Sequence, residues 1–261
     1  MYAFTHHAAT SVADAVKSVG EGKFLAGGHT LLPTMKQRLA QPGHLVDLNK
    51  VAELKGISDN GSALTIKSMS RHAEVAGSDV VKKAIAGLAS MAEGIGDPQV
   101  RHRGTIGGSI ANNDPVADYP AACLALGATI VTDRRRISAD DFFQGLFTTA
   151  LEDNELITAV EFPHADKFAY AKFRNPASRY ALVGVAVAKR GNNVRVAVTG
   201  AGSDGVFRWT DAEGKLAANF SAAALDGLTI DAGGLNGDIH GSAEYRAHLI
   251  GVMAKRAVAA A

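Results

Sequence analysis

The chain has 261 residues, enough for about two domains that each bury a core. Apolar residues are 47% and charged residues 20%, as in an ordinary folded protein, and a net charge of +1 without a Lys/Arg block excludes a nucleic-acid-binding arm. No apolar run approaches the roughly 20 residues that span a bilayer, and Met1–His7 lacks the basic and apolar regions of a signal peptide, so a cytoplasmic location is expected.

In chain order, Tyr2–Phe4 reads as a strand, and Ser11–Val19 as a helix opened by Thr10 or Ser11 and stopped by Gly20. Lys23–Ala26 is a strand running into the turn Gly27-Gly28, and Leu31–Leu39 a helix after it. His44–Leu48 is strand-like, Val51–Leu54 briefly helical, and Ala63–Lys67 a strand. From Arg71 to Glu93 the chain is Ala-rich and helical, with Val80, Val81, Ile85 and Leu88 as its apolar positions. Ala117–Leu126 is helical, and Thr129–Thr132 with Ile137 makes a hairpin, whose turn accounts for Arg134-Arg135-Arg136. Glu155–Phe162 closes this part as a strand.

Pro163–Asp166 marks a boundary. Beyond it lie three long strands, Phe168–Phe173, Ala181–Lys189 and Val194–Thr199, with Gly191-Asn192-Asn193 as a hairpin turn. Thr210–Glu213 has the spacing of a capping box opening a helix, and Ser242 caps a final helix to about Ala259. Strands first and helices last give a separate α+β unit. The expected division is therefore 1–165 and 166–261. Gly200–Gly205 matches G-x-G-x-x-G after a strand, but the helix opens only at Thr210, so it reads as a connecting loop.

Two glycine loops carry the chemical signal: Ala26-Gly27-Gly28-His29-Thr30, followed by Leu31, and Thr105-Ile106-Gly107-Gly108-Ser109. Paired glycines let backbone approach a ligand closely and let successive N–H groups converge on an anion. Neither loop is a Walker sequence, because no Gly-Lys-Ser/Thr follows. Two such loops suit the pyrophosphate of a dinucleotide, held from both sides without a lysine. The single cysteine, Cys123, sits in an apolar run and reads as a small buried hydrophobe. One cysteine cannot supply the about four ligands that an iron–sulfur cluster requires.

On three segments, Leu25–Leu39, Gly94–Asp118 and Asp238–Leu249, the chain resembles the flavoprotein (medium) subunits of molybdenum hydroxylases, and most nearly the carbon monoxide dehydrogenase type. The resemblance implies a PCMH-type FAD-binding domain, related to vanillyl alcohol oxidase and made of two α/β subdomains. A small C-terminal domain with a three-stranded antiparallel sheet and helices would follow, an α+β fold overall. It implies non-covalent FAD held at Ala26, Gly27, Gly28, His29, Thr30, Leu31, Thr105, Gly107, Gly108 and Ser109. No side chain need act as a catalytic acid or base, and no metal site is expected in this chain. The molybdenum cofactor and [2Fe-2S] clusters would lie on a large and a small partner subunit, as a dimer of heterotrimers.

Asp118 has two readings, an N-cap of the following helix and, by the resemblance, a hydrogen-bond partner of flavin ribityl or ribose hydroxyls. Lys172, Arg174 and Tyr180 read as a strand end and a turn with solvated charges. By the resemblance Lys172 lies near the flavin or its ribityl chain and Tyr180 against the ring, and a cation there would favour the reduced flavin. His29 shapes the loop, donates to a phosphate, or links the flavin covalently, and the resemblance favours no bond. Arg101, His102 and Arg103 either offset phosphate charge or form a solvated cluster. The function implied is an FAD electron-transfer subunit delivering electrons to an external acceptor. A stand-alone flavin oxidase and a non-catalytic nucleotide-binding or assembly protein are the alternatives.

Overall fold

A computed structural model describes residues 1–261. The chain opens with Thr5–Ala8 (β1), Val12–Val19 (α1), Lys23–Leu25 (β2), Leu31–Lys36 (α2) and His44–Asp47 (β3), whose strands form a parallel sheet in the order β1-β3-β2. The first strand lies later than Tyr2–Phe4: Thr5↔His44 through Ala8↔Asp47 is the register that carries Ala9 into the core, and it leaves Tyr2 and Phe4 exposed. Helix α1 is opened by Ser11, whose side chain accepts from Asp14 N at 3.0 Å, and it ends at Gly20 with φ +48°. Its buried Ala15 and Val19 join Val46, Leu48 and Leu54 in a small core of their own.

A second sheet begins with Ile57–Asp59 (β4) and Ala63–Lys67 (β5). The chain then leaves it for six helices, His72–Gly77 (α3), Asp79–Ala84 (α4), Ala86–Glu93 (α5), Pro98–Arg101 (α6), Ile106–Asn112 (α7) and Tyr119–Leu126 (α8). It returns through Thr129–Thr132 (β6), Arg136–Ser138 (β7), Ala139–Phe142 (α9), the ribbon Phe143–Gly145 (β8) with Thr148–Thr149 (β9), and Ile157–Pro163 (β10). The sheet is antiparallel throughout, in the order β4-β5-β10-β6-β7. The expected helix over 71–93 is three helices. Ser78 takes an extended conformation and caps α4 through Val81 N, and Ile85 at φ −147° breaks the chain again before α5. The Ser78 cap satisfies one of the donors that opening a new helix leaves without a partner.

The third sheet contains Lys167–Arg174 (β11), Ala181–Arg190 (β12), Asn193–Thr199 (β13) and Phe207–Arg208 (β14), all antiparallel and in chain order. It has four strands where three were expected, because the loop after Gly205 turns back to pair Phe207 with Val198 and Arg208 with Ala197. Helices Thr210–Ala218 (α10) and Ala243–Ala260 (α11) complete the chain. The capping box at Thr210 does not form. Trp209 is the cap, without a side-chain bond, and Glu213 instead accepts from Arg208 Nε at 2.8 Å and Val196 N at 3.0 Å. A guanidinium and a strand N–H outcompete the helix's own first turn for a buried carboxylate.

Side chains alternate across a strand, and β12 uses both faces. Val183, Val185 and Val187 pack with Leu249, Ile250 and Met253 of α11. Ala186 and Ala188, with Ala197 of β13, instead join the core that contains α8. All eight residues of α8 are buried, Cys123 among them, and burial pushes its thiol pKa up. The small alanine face lets the third sheet close onto α8, and this contact positions the site.

Candidate cofactor site

The turn after β5, Ser68–Ser70, organises the second glycine loop. Gly107 N donates to Ser68 O at 2.9 Å, Ile106 N to Ser70 O at 3.1 Å and His72 N to Gly104 O at 3.0 Å. The loop is also the start of a helix: Thr105 is the N-cap of α7, with its hydroxyl accepting from Gly108 N at 3.1 Å, and Ser109 N donates to Thr105 O. The expectation that these N–H groups converge on an anion therefore meets a structural obstacle. Those of Ile106, Gly107, Gly108 and Ser109 are already committed within the protein.

The first loop is the opposite case. None of the N–H groups of Gly27, Gly28, His29, Thr30 and Leu31 donates to a protein acceptor, and the first bond after the turn is Leu32 N to Gly28 O at 3.1 Å. Gly28 has φ +73°, the left-handed conformation that turns successive amides to one side. The two loops touch. A Cβ on Gly27 would strike the Arg103 carbonyl oxygen and lie 2.9 Å from Gly104 Cα, while one on Gly108 would lie 3.6 Å from Ala26 Cβ. His29, which is exposed, reaches Gln99 O with Nε2 at 3.3 Å, and Asn49 Nδ2 holds Ala26 O at 3.4 Å. A row of free donors on one wall and a side-chain-free wall opposite fit a pyrophosphate group.

Buried His72 lies against Gly104, with its ring 5.4 Å from that of Tyr119. Burial, with His29 and Arg101 nearby, lowers its pKa to about 4, so the ring is neutral at pH 7. Neither of these two residues was legible as a site element in the sequence. Arg101 Nη1 donates to Ile95 O at 3.0 Å and His102 Nδ1 lies 2.7 Å from Pro98 O, contacts that brace the turn before the second loop.

Helix α7 leads through Asn113, at φ +43°, to a second cluster. Asp118 does not cap α8 with its side chain. Its carboxylate accepts from Lys172 Nζ at 2.9 Å and from the Tyr170 hydroxyl, and Lys172 also donates to Gly94 O at 3.0 Å. Only 4% of each of the Asp118 and Lys172 side chains is exposed. Burial raises the Asp118 pKa and Lys172 opposes that rise. The end of β13 steadies the approach to Asp118: Thr199 Oγ1 donates to Pro115 O at 3.0 Å and Ala117 O at 2.7 Å, and Gly200 N donates to Pro115 O at 2.8 Å. Tyr180, half exposed, lies on the turn between β11 and β12, where burial and then the charges of Asp114 and Asp118 raise its phenol pKa. Arg174 comes so close to Gly94 that a Cβ there would lie 3.0 Å from Nη2. The structure thus gathers the predicted residues into two groups, the paired loops and the Asp118–Lys172–Tyr180 end. Sequence reading missed Tyr170, whose only signal was its place two residues before Lys172.

This mixed helix and sheet architecture, with a donor-rich glycine turn facing a second glycine loop, defines a dinucleotide-binding module. Residues 2–165 match the family described as the FAD binding domain in molybdopterin dehydrogenase. The chain is 38% identical to the carbon monoxide dehydrogenase medium chain of Hydrogenophaga pseudoflava, covering 99% of this chain and 96% of that one. It is 35% identical to the nicotine 6-hydroxylase medium subunit of Paenarthrobacter nicotinovorans, over 94% of this chain and 91% of the other. The solved carbon monoxide dehydrogenase from Hydrogenophaga pseudoflava superposes with a TM-score of 0.86 at 37% identity, covering 100% of this chain and 97% of that one. The chain belongs to the family of FAD-binding medium subunits of molybdenum hydroxylases, and it is an FAD-binding oxidoreductase subunit.

Proposed function

We propose that this chain relays electrons through FAD, from iron–sulfur clusters on a small partner subunit to an external acceptor, while a large molybdenum subunit transforms the substrate. The observation that carries this reading is the run of unpaired N–H groups from Gly27 to Leu31 against the glycine wall Gly104–Gly108. FAD supplies the redox chemistry when bound. The chain's residues bind and orient it: Gly27–Leu31 donate to its diphosphate and Gly108 admits it closely, while Gly107 seats the loop against Ser68. Thr30 and Ser109 flank it with hydroxyls.

Asp118 and Lys172 act on the flavin end mainly through their field, since so little of either is exposed. Tyr180 is the residue with surface to offer a ring. We read the FAD-binding unit as 1–165, of PCMH type with two subdomains built on the parallel and the five-stranded sheets, and residues 166–261 as the C-terminal unit. The lone Cys123, buried in α8, requires the clusters to reside on another chain. A dimer of heterotrimers and a cytoplasmic site belong to the same reading. Relatives at 38% and 35% identity carry names for carbon monoxide and for nicotine, which fits a reading in which the large subunit selects the substrate.

The flavin is held without a bond. Acid precipitation of the yellow protein is expected to release all flavin fluorescence into the supernatant, and fluorescence retained on the polypeptide would point to His29. Purified from its own cells, the chain is expected to arrive with a cysteine-rich small subunit and a large molybdenum subunit. Substrate should bleach the flavin of that complex and leave the isolated chain unchanged. Full-rate reduction of the isolated chain by substrate would instead make it a self-contained oxidase.

A further inference from the structure

Asp118 and Lys172 form a pair with no net charge, so the field they impose on a neighbouring flavin depends on how much of the carboxylate charge other donors absorb. The Asp118 side chain has only one such donor besides Lys172, the Tyr170 hydroxyl. We propose that Tyr170 is a positioning residue for the flavin: by hydrogen-bonding Asp118 it leaves the Lys172 charge dominant and so raises the flavin's reduction potential. The inference rests on the reading that Asp118 and Lys172 adjoin the flavin.

Three features of the structure support this assignment. Tyr170 stands on β11 two residues from Lys172, so both side chains project from the same face of the strand toward Asp118. The fold also has a slot for this hydroxyl. Gly184 interrupts the Ala/Val run of β12, and a Cβ there would strike Tyr170 Oη and lie 2.8 Å from Cζ. Glycine inside a central strand marks such a close approach. Finally, burial and the Asp118 charge push the phenol pKa well up, which keeps Tyr170 protonated as a donor. Without the hydroxyl, Asp118 would keep Lys172 as its sole side-chain partner and present more negative charge to the site. The reduced flavin, richer in electrons, would then be held less well relative to the oxidised form.

The test uses the full-length chain loaded with FAD, whose midpoint potential is read by dye-equilibrated reductive titration. Tyr170→Phe is expected to weaken binding of reduced relative to oxidised flavin about tenfold, which lowers a two-electron potential by about 30 mV. The same change in an Asp118→Asn background is expected to do nothing further, since the cycle isolates the pairwise effect. Should Tyr170→Phe fail to load FAD, Tyr170→3-fluorotyrosine keeps the shape with a stronger donor and is expected to raise the potential. Lys172→Gln serves as the control on the underlying reading. If it leaves the potential unmoved, the cluster does not adjoin the flavin at all. If Lys172→Gln shifts the potential while Tyr170→Phe and the fluorotyrosine do not, or if Tyr170→Phe acts equally in the Asp118→Asn background, the role assigned to Tyr170 is overturned.

Discussion

Gly27 and Gly108 have different tasks within one cradle, and substitution separates them. At Gly27 a side chain meets the Arg103 carbonyl, a backbone group that cannot swing away, so Gly27→Ala must part the two loops. Overpacking of this kind costs about 1–3 kcal/mol. At Gly108 the nearest atoms to a Cβ are Thr105 Oγ1 at 3.0 Å and Ala26 Cβ at 3.6 Å, so a side chain fits with little movement and occupies the ligand's place. Gly108→Asp is therefore expected to keep the melting temperature of the cofactor-free chain and abolish FAD retention, whereas Gly27→Ala lowers both; absorbance ratios and calorimetry of purified protein check this. His72 adds a pH dependence at the same spot. Its folded pKa of about 4 lies below the unfolded 6.5, so the unfolded chain binds the extra proton, and stability falls as pH drops from 6.5 through about 4. His72→Gln should flatten that part of the stability–pH curve, and an unchanged slope would show that the ring is not held neutral.

The β6–β7 hairpin shows how an element is locked to its neighbours. Glu155, just before β10, takes Arg135 Nε at 2.9 Å, Arg135 Nη2 at 2.8 Å and the Thr132 hydroxyl at 2.7 Å. The Arg135 bonds, followed by the Glu152 N–H and Thr132, lower its pKa to about 2. A carboxylate whose folded pKa lies below the unfolded 4.5 contributes stability above that value and loses it as pH falls toward about 2. Arg135 is 41% exposed, so solvent screening discounts that contribution. Glu155→Gln is expected to lower the urea midpoint at pH 7 and to make its fall between pH 4.5 and pH 2 shallower, the other depressed carboxylates, such as Asp47 and Glu161, supplying what remains. This acid limb overlaps the His72 window only near pH 4 to 4.5, so the two variants are distinguishable in one titration.

At the scale of the whole molecule, the decisive contact is the alanine face of β12 and β13 against α8. Ala186, Ala188 and Ala197 share one core with Cys123 and Leu126, although the FAD-domain match ends at residue 165. The same seam carries the Asp118–Lys172 pair and the Thr199 bonds. We expect the chain to unfold in a single transition, with near-UV and far-UV circular dichroism coincident. Ala186→Leu would overpack the seam by about 1–3 kcal/mol and weaken FAD retention by moving Lys172 relative to Asp118. Two separated transitions in the unaltered chain would show that the seam does not couple its two sides.

Much of this was legible in the chain because it depends on local rules. The strand–turn–helix order around Gly27-Gly28, the Ser11 and Ser242 caps, the hairpin at Arg134–Arg136 and the antiparallel run Lys167–Thr199 follow from turn chemistry and side-chain period alone. The lone cysteine likewise fixed what the chain cannot hold. Local rules failed where a distant partner competed. Glu213 left its capping box for Arg208 and Val196, and Asp118 left α8's first turn for Lys172 and Tyr170. The second glycine loop looks like the first in sequence, yet its amides are spent on Ser68, Ser70 and Thr105 while those of Gly27–Leu31 remain free. No pattern within either loop encodes that difference, because a donor is free only when the folded chain brings it no acceptor, and that is decided by tertiary structure.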